Sequence, residues 1–367
     1  MEFEIINPRL EDGPRLTAFY ERLYRSGCIL TNERYRRWWL HDNPAFGGEG
    51  YSVKVAMGGG EFVGHCAYVP VSLWSGGRQC HAAWGGNFIV DERWRGRGIG
   101  RALHQAIYDE VDTFLDVGAN ATAEVILRKF GWFNFGPLWR AVAPLTIEAA
   151  RFSRTPTLVP SQLLPALPRR PSTLRVRRIE RADAAVDRFW ERQRQHIGHA
   201  TERSAVFLNW RYLDHPVFQY QLFLAERLNR NEENEVVGLA VARLQTVADP
   251  IHKLWRIVEF LAEDDATDVL LSCLVKEGRA AGAVLADFFC ASARFLTPFR
   301  RAGFVLSPAA DQFTHFFDPV DLTRLEAGRI SFNGGNIHGR LDPARFIDRD
   351  QWYVTSGDGD QDRPNRG

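Results

Sequence analysis

The clearest pattern of apolar and polar positions in this chain is a short apolar run that leads into a polar turn and then into an amphipathic segment. The run from Asn87 to Val90 predicts a strand, and the segment from Arg101 to about Thr113 predicts a helix. Between them, the glycines Gly96, Gly98 and Gly100 alternate with larger residues. The pattern therefore predicts a strand, a glycine-rich turn and a helix in direct succession.

This turn has the chemistry of an anion-binding loop. Glycines lack the Cβ atom that would keep a backbone from curling around an anion, and a helix N-terminus adds free N–H groups and a positive dipole end. The glycines are followed by Arg101-Ala102 rather than Lys-Ser or Lys-Thr, which excludes a Walker loop, and their spacing differs from the dinucleotide fingerprint. The turn therefore predicts a phosphate-bearing ligand of another kind.

The spacing Arg-x-x-Gly-x-Gly, carried by Arg95, Gly98 and Gly100, resembles the acyl-CoA pyrophosphate loop of the GNAT N-acetyltransferase superfamily. The segments Asn120-Ala121-Thr122-Ala123 and Phe130-Gly131-Trp132 are similar to the Asn-x-x-Ala helix and the Gly-aromatic turn of the same superfamily. The resemblance implies an N-acyltransferase that moves an acetyl or short acyl group from acyl-CoA to a primary amine, with acetyl-CoA or another short acyl-CoA as co-substrate and no metal. The residues that it assigns to the acyl-CoA are Phe88, Ile89, Val90, Arg95, Gly96, Arg97, Gly98, Ile99, Gly100, Arg101 and Asn120.

The sequence defines the catalytic groups less well than the acyl-CoA loop. Many GNAT members carry a tyrosine four residues before the glycine of the Gly-aromatic turn, where this chain has Leu127, so the leaving thiolate needs another proton source. We expect the strand Asn87 to Val90 to splay from its neighbour, and the candidates for the base near it are His81 and Asp116. The alternatives are a solvated histidine at a strand end and a loop carboxylate that ends its strand.

Two parts of the chain resemble each other. Trp38, Asp42, Pro44 and Phe46 recur as Trp210, Asp214, Pro216 and Phe218, a shift of 172 residues (210 minus 38), and Gly131 recurs as Gly303 at the same shift. We therefore predict an α/β fold with mixed sheets, made of two tandem GNAT-like domains of which the second is degenerate. The predicted domains are a GNAT domain with the acyl-CoA loop at 1–150, a proline-rich linker at 151–171, a degenerate GNAT-like domain at 172–320 and a partly docked C-terminal extension at 321–367.

The second half lacks the loop chemistry of the first. At the shift of 172, the glycine-rich loop falls on Thr267 to Ser272, and the turn before it is Glu263-Asp264-Asp265. An acidic turn without glycine repels a pyrophosphate and lacks the backbone freedom to wrap around it. We expect the second half to bind no CoA and either to complete the substrate cleft of the first half or to form a homodimer surface.

Composition narrows the class of protein. With 367 residues, of which 45% are hydrophobic, the chain is long enough for two cores, and its net charge of +1 argues against nucleic acid binding. The five cysteines form no Cys-x-x-Cys pair, which fits a reducing cytoplasm, and the chain has neither a signal peptide pattern nor an apolar run long enough to span a membrane. We expect a cytoplasmic enzyme without a membrane partner.

The C-terminal segment combines an apolar start with an acidic end. Trp352-Tyr353-Val354 is too apolar for a free tail and is expected to dock, whereas Asp358-x-Asp360-x-Asp362 lacks the rest of a calcium loop. The ending is similar to that of bacterial N-acyltransferases of surface-polysaccharide pathways, which implies a nucleotide-linked amino sugar as acceptor, with the acidic tail meeting the amine. The alternatives are another small-molecule or peptide amine as acceptor, and a non-catalytic acyl-CoA sensor.

Overall fold

The computed structural model describes residues 2–24, 27–154, 173–229, 234–246, 252–314 and 330–364. Its contacts divide the chain into two compact units. The first unit comprises Met1–Gly136, Ser331–Ile347 and Asp358–Gly367, and the second comprises Pro137–Ile330 and Asp348–Gly357. Positions 155–171 of the predicted linker and 321–329 of the predicted extension lie outside the described residues. The predicted domain boundaries stay a prediction.

The first unit is built on a mixed sheet with the strand order β1-β2-β3-β4-β5-β15-β6. Its pairs are antiparallel from β1 to β4 and between β5 and β15, whereas β4 and β5 are parallel. The strands are β1 (Glu4–Ile6), β2 (Val53–Gly58), β3 (Glu61–Ser75), β4 (Arg78–Val90), β5 (Thr113–Val117), β6 (Phe133–Pro137) and β15 (Ser331–Asn336). The helices are α1 (Gly13–Leu23), α2 (Glu33–Leu40), α3 (Ile99–Tyr108), α4 (Ala121–Lys129) and α9 (Pro343–Ile347).

Helix α3 packs one apolar stripe on this sheet. Ile99, Leu103 and Ile107 recur every four residues, are almost fully buried and join a core cluster with residues of β3 to β5. The prediction that the helix runs to about Thr113 is wrong: α3 ends at Tyr108, and Thr113 begins β5. Thr113 belongs to a buried apolar run that pairs with the neighbouring strands, so strand pairing rather than helical periodicity decides its structure.

The second unit has a sheet of the order β14-β7-β13-β12-β11-β10-β8, in which β12 and β13 are parallel. The strands of this sheet are β7 (Trp139–Pro144), β8 (Leu174–Ile179), β10 (Tyr220–Arg227), β11 (Glu235–Thr246), β12 (Lys253–Ala262), β13 (Ala283–Cys290) and β14 (Val305–Leu306). The unit also contains β9 (His199–Thr201) and β16 (Trp352–Tyr353), which pair with each other. Its helices are α5 (Ala184–Gln193), α6 (Ala205–Leu208), α7 (Thr267–Ala280) and α8 (Thr297–Arg301).

From β8 to β14, the second sheet has the same arrangement of strands as the first sheet has from β1 to β6. In each sheet one parallel pair is flanked by antiparallel strands, and the strand beside that pair comes from a distant part of the chain: β15 in the first unit and β7 in the second. The repeated glycines also have the same roles, since Gly131 and Gly303 follow the ends of α4 and α8 with φ angles of 84° and 85°. The predicted mixed α/β class with two similar halves is confirmed.

The apolar start of the C-terminal segment docks on the second unit, as predicted. Trp352, Tyr353 and Val354 are each 0% exposed. Strand β16 pairs in parallel with β9, and the amide of Ala291 donates to the carbonyl oxygen of Val354 at 2.8 Å. This segment is therefore part of the core of the second unit.

Candidate functional site

The two parallel strands of the first unit separate part of the way along their length. Among the described residues, β4 and β5 pair from Ala82 with Thr113 to Trp84 with Leu115. Strand β5 pairs with β15 along its whole length, from Thr113 to Val117, whereas β4 continues past Trp84 to Val90 without a described pair in β5. A register shift opposite Gly86 and Asn87 adds a β-bulge to β4 at the point where the strands part. We call the space between the separated strands the β4–β5 gap.

A cavity of about 280 Å³ lies at the β4–β5 gap, and all its lining residues belong to the first unit. Its lining combines an apolar part with a polar part that carries carboxylates and a guanidinium. The apolar part includes Cys66, Phe88, Phe114, Leu127 and Trp132, and the polar part includes Tyr24, Asn87, Asp116, Asn120, Asp360, Gln361 and Arg363.

The glycine-rich loop follows β4 directly and ends at the N-terminus of α3. Gly96 and Gly98 have φ angles of 78° and 82°, in the left-handed region that favours glycine. Gly98 caps α3, and the first helical hydrogen bond runs from the amide of Ala102 to the carbonyl oxygen of Gly98 at 3.0 Å. The earlier amides of the helix have no carbonyl partner inside it, so they are free to donate to an anion.

The arginines of the loop are exposed and only partly engaged. Arg95 forms an ion pair with Glu92 at 3.1 Å, Arg97 lies over the ring of Trp94, and Arg101 is exposed on the first turn of α3. A dianionic pyrophosphate would compete with Glu92 for Arg95, because both offer oxygen acceptors to the same guanidinium. The loop thus combines backbone donors with three exposed cations.

The remaining residues assigned to acyl-CoA lie between the loop and the cavity. Phe88 lines the cavity and packs edge-on against His104, with ring centroids 4.8 Å apart, while Ile89 and Val90 are partly buried. Asn120 caps α4, because its side chain accepts a hydrogen bond from the amide of Ala123 at 2.9 Å. Asn120 also lines the cavity, and its assignment to acyl-CoA stays a prediction, as does that of the loop.

The carboxyl group of Asp116 is at the centre of the polar part. It accepts a hydrogen bond from the amide of Ala119 at 3.0 Å, and it reaches solvent only in part. Loss of hydration, reinforced by the nearby charge of Asp360, raises the pKa of Asp116 to about 7. A carboxylate with this pKa is half ionised at neutral pH, which suits a general base.

The other predicted base lies elsewhere on the first unit. His81 is exposed, stands six residues before Asn87 on β4, and is therefore roughly 20 Å from it along the strand. It lines a different cavity of about 760 Å³, together with Tyr68, Glu110 and the loop around Glu49. The structure thus brings Asp116 to the gap but not His81.

Sequence reasoning did not assign two side chains that line the cavity, Tyr24 and Arg363, and it placed the acidic tail at the amine without assigning Asp360 a position beside Asp116. Asp360 and Arg363 form an ion pair at 2.9 Å, and Arg363 also donates to the side-chain oxygen of Asn87 on β4. The acidic pattern of the tail was visible in the sequence, but the position of Asp360 near Asp116 depends on contacts between residues far apart in the chain.

The usual tyrosine of the GNAT helix has no direct replacement in α4. Leu127 is 7% exposed and belongs to the apolar core that includes Trp132. Tyr24, on the segment after α1, is the tyrosine that lines the cavity among the described residues. Burial raises the pKa of Tyr24 well above its ordinary value, so its hydroxyl stays protonated at neutral pH.

The corresponding gap of the second unit is filled by the chain itself. Strands β12 and β13 pair up to Ile257 with Phe288, and beyond that point Thr355 bridges to Cys290. The hydroxyl of Tyr353 accepts from the amide of Phe260 at 3.1 Å and lies 3.0 Å from Oε2 of Glu259. Phe260 has the same position in β12 as Phe88 has in β4. Tyr353 therefore forms hydrogen bonds with the backbone of the residue that corresponds to Phe88.

The turn after β12 has also lost its anion-binding character. Glu263 and Asp265 each lie 3.0 Å from the guanidinium of Arg227. The helix α7 that follows begins after Ala266, without a side-chain cap. Both the acidic turn and the filled gap therefore oppose acyl-CoA binding by the second unit.

No described helix is long and apolar enough to cross a membrane. No group of three or more histidine, cysteine, aspartate or glutamate side chains in the described ranges is arranged to hold a metal ion.

Comparisons with known proteins point to one fold. Residues 14–126 match the family described as "Acetyltransferase (GNAT) family". No curated protein matches the sequence. Among solved structures, a GCN5-related N-acetyltransferase from Kribbella flavida has a TM-score of 0.50 and 16% identity over 78% of this chain, which spans 63% of that protein.

Two further structures cover more of the chain. A GCN5-related N-acetyltransferase from Anabaena variabilis has a TM-score of 0.57 and 13% identity, with 83% of this chain and 70% of that one covered. Saccharomyces cerevisiae N-myristoyltransferase with bound myristoyl-CoA has a TM-score of 0.53 and 10% identity, with 91% of this chain and 79% of that one covered. The chain therefore has the GNAT fold, and its residues 14–126 match the model of the GNAT acetyltransferase family.

Proposed function

We propose that this protein is an acyl-CoA-dependent N-acyltransferase that transfers an acetyl or short acyl group to a primary amine in the cavity of the first unit. The observation that carries the proposal is the continuity of three features: the free amides of the loop, the open edge of β4 beyond Trp84, and the carboxyl group of Asp116. A pyrophosphate on the loop leaves the pantetheine to run along β4 as an added strand would. The thioester then enters the cavity.

Asp116 acts as the general base in this proposal. An acceptor amine arrives as an ammonium ion, which the carboxylates of Asp116 and Asp360 attract. Asp116 takes one proton, the neutral amine attacks the thioester carbonyl carbon, and the tetrahedral intermediate collapses as the C–S bond breaks. The products are an amide and the CoA thiol, because the second proton of the amine passes from the nitrogen of the intermediate to the leaving thiolate, through the hydroxyl of Tyr24 or through water.

The charge of the cavity and the sequence of the C-terminal tail indicate the class of acceptor. Two carboxylates beside the gap select for a cationic amine over a hydroxyl acceptor. Within the amines we propose nucleotide-linked amino sugars, on the similarity of the ending Trp352 to Pro364 to that of the polysaccharide-pathway N-acyltransferases. Other small-molecule amines and peptide N-termini are the competing acceptors.

The test is a thiol-release assay on the full chain with acetyl-CoA, propionyl-CoA and a panel of nucleotide-linked amino sugars, aminoglycosides, amino acids and peptides. The proposal expects amine-dependent thiol release and an amide product by mass spectrometry. Turnover with non-sugar amines alone would remove the amino-sugar assignment and retain the N-acyltransferase. Tight binding of acyl-CoA without thiol release from any amine would instead favour a sensor.

We also expect calorimetry to give one acyl-CoA site for each chain. The first unit has an open gap and a glycine-rich loop, whereas Tyr353 fills the second gap. Replacing Asp264 and Asp265 by asparagine is expected to leave the acyl-CoA affinity unchanged, because both residues belong to the second unit and not to the unit that contains the glycine-rich loop. Two sites, or a changed affinity in the double variant, would contradict this division of roles.

A further inference from the structure

The tail residues Asp358 to Pro364 are held against both strands of the β4–β5 gap. On the β4 side, Arg363 donates to the side-chain oxygen of Asn87 at the β-bulge. On the β5 side, a Cβ atom at Gly118 would lie only 2.1 Å from the amide nitrogen of Gln361, so the tail packs directly on the backbone after β5. The tail therefore forms part of the cavity lining rather than a loose end.

These contacts fix the carboxylate of Asp360 through both of its oxygens. Oδ2 lies 2.9 Å from the guanidinium of Arg363, and Oδ1 accepts from the side-chain amide of Gln361 at 3.3 Å. The side chains of Arg363 and Asp360 are 19% and 11% exposed, so water screens this ion pair only weakly. The ion pair and the amide contact therefore fix the position of this carboxylate in the cavity lining.

Arg363 contacts Asp360 and Asn87 but is not a partner of Asp116. We propose that Arg363 is a positioning residue that holds the carboxylate of Asp360 beside Asp116 and offsets its negative charge, and so sets the pH range in which Asp116 can accept a proton. This inference rests on the proposed function, because it gives Asp116 the role of base.

Asp116 faces other titratable groups, which any change of pH also affects. Its neighbours across the cavity and on the packed elements are Tyr24, Cys66, His104, Glu124, Asp360 and Arg363. Burial lowers the pKa of His104 to about 4 and raises the pKa of Cys66, so both are neutral near pH 7. The charged groups that face Asp116 near neutral pH are therefore Asp360, its partner Arg363 and, more weakly, Glu124.

Removing the cation leaves Asp360 without its counter-ion. In Arg363→Gln we expect the pKa of Asp116 to rise, and the acidic limb of the kcat profile to move up by about one pH unit. Arg363→Lys keeps the charge and should restore the limb. Asp360→Asn removes the neighbouring negative charge and should move the limb down, and in the double variant the effect of Arg363→Gln should disappear.

The experiment combines kcat–pH profiles of these variants with a carbon NMR titration of aspartate carboxyl groups, in which Asp116→Asn identifies the signal of Asp116. A rate that falls equally at all pH values in Arg363→Gln, with an unmoved Asp116 titration, would overturn the proposal. A downward move of the acidic limb in Arg363→Gln would also overturn the proposal, because that is the result expected if the variant loses the contact of the whole tail, Asp360 included, with the cavity. If no amine is acylated, the proposed function fails, yet the NMR titration still decides whether Arg363 acts on Asp116.

Discussion

Replacing Asp116 by asparagine is expected to lower kcat for acyl transfer by about 100-fold or more, the usual contribution of a general base. Asparagine keeps the shape of the side chain and its capacity to accept from the amide of Ala119, but it cannot take a proton. We expect the affinity for acetyl-CoA to change little, since the loop that we assign to the pyrophosphate follows Val90 and does not include Asp116. Steady-state thiol release and calorimetry measure the two effects separately.

His81→Gln is the matched comparison, because it tests the second base that the sequence indicates. The account expects the larger loss at Asp116, whose carboxyl group is at the gap, and not at His81, whose side chain lines a different cavity. A larger loss in His81→Gln than in Asp116→Asn would contradict the assignment. In the unaltered protein, kcat should rise with pH through about 7, as the Asp116 carboxyl group ionises.

Asp116→Asn also gives a measure of stability that does not depend on activity. Burial raises the pKa of Asp116 from its ordinary 3.8 to about 7, so the folded state favours the protonated form. The stability that this group contributes is fully present below pH 4 and is lost as the pH rises through about 7. The Tm of Asp116→Asn relative to the unaltered protein should therefore increase between pH 5 and pH 8. A constant difference in Tm would show that Asp116 is an ordinary exposed acid.

Gly98→Val is expected to weaken acyl-CoA binding by roughly tenfold or more, which is about 1.4 kcal/mol. Gly98 has a φ angle of 82°, which a β-branched residue adopts only with strain, and it caps the helix whose first amides we assign to the pyrophosphate. No described atom lies within 4 Å of a Cβ built at this position, so the fold itself should remain intact. Isothermal calorimetry with acetyl-CoA measures the loss.

Gly60→Val is the control for this variant. Gly60 has a φ angle of 80°, and a Cβ atom there would also meet no described atom within 4 Å, but it lies in the turn between β2 and β3. The two substitutions therefore impose a similar backbone strain at different places. If a folded Gly98→Val protein bound acyl-CoA as tightly as Gly60→Val does, the loop assignment would be wrong.

The strand, loop and helix assigned to acyl-CoA could be predicted from sequence because they are contiguous in the chain. Strand, loop and helix follow one another between Asn87 and Tyr108, and the glycines there have the left-handed angles that their spacing suggests. The docking of Trp352 to Val354 also followed from composition, since three large apolar residues rarely remain in solvent. The predicted end of α3 failed because pairing with β4 and β15 determines the structure at Thr113.

The acceptor side could not be predicted because its residues meet through long-range contacts. Asp360 lies beside Asp116 because the tail returns to the first unit after Gly357, and no local pattern indicates this. Likewise, β15 enters the first sheet from the far end of the chain, while Trp139 to Pro144 pairs in the second. Hydrophobic patterns predict that such segments are strands but do not identify their partners.

The most direct test of the central claim is a crystal structure of the full chain with a non-hydrolysable acetyl-CoA analogue. The account predicts one molecule for each chain, with its pyrophosphate on the amides between Gly96 and Arg101, its pantetheine along β4, and its acyl carbon in the cavity beside Asp116. A pyrophosphate bound at the turn from Glu263 to Ser272, or a pantetheine outside the β4–β5 gap, would contradict it.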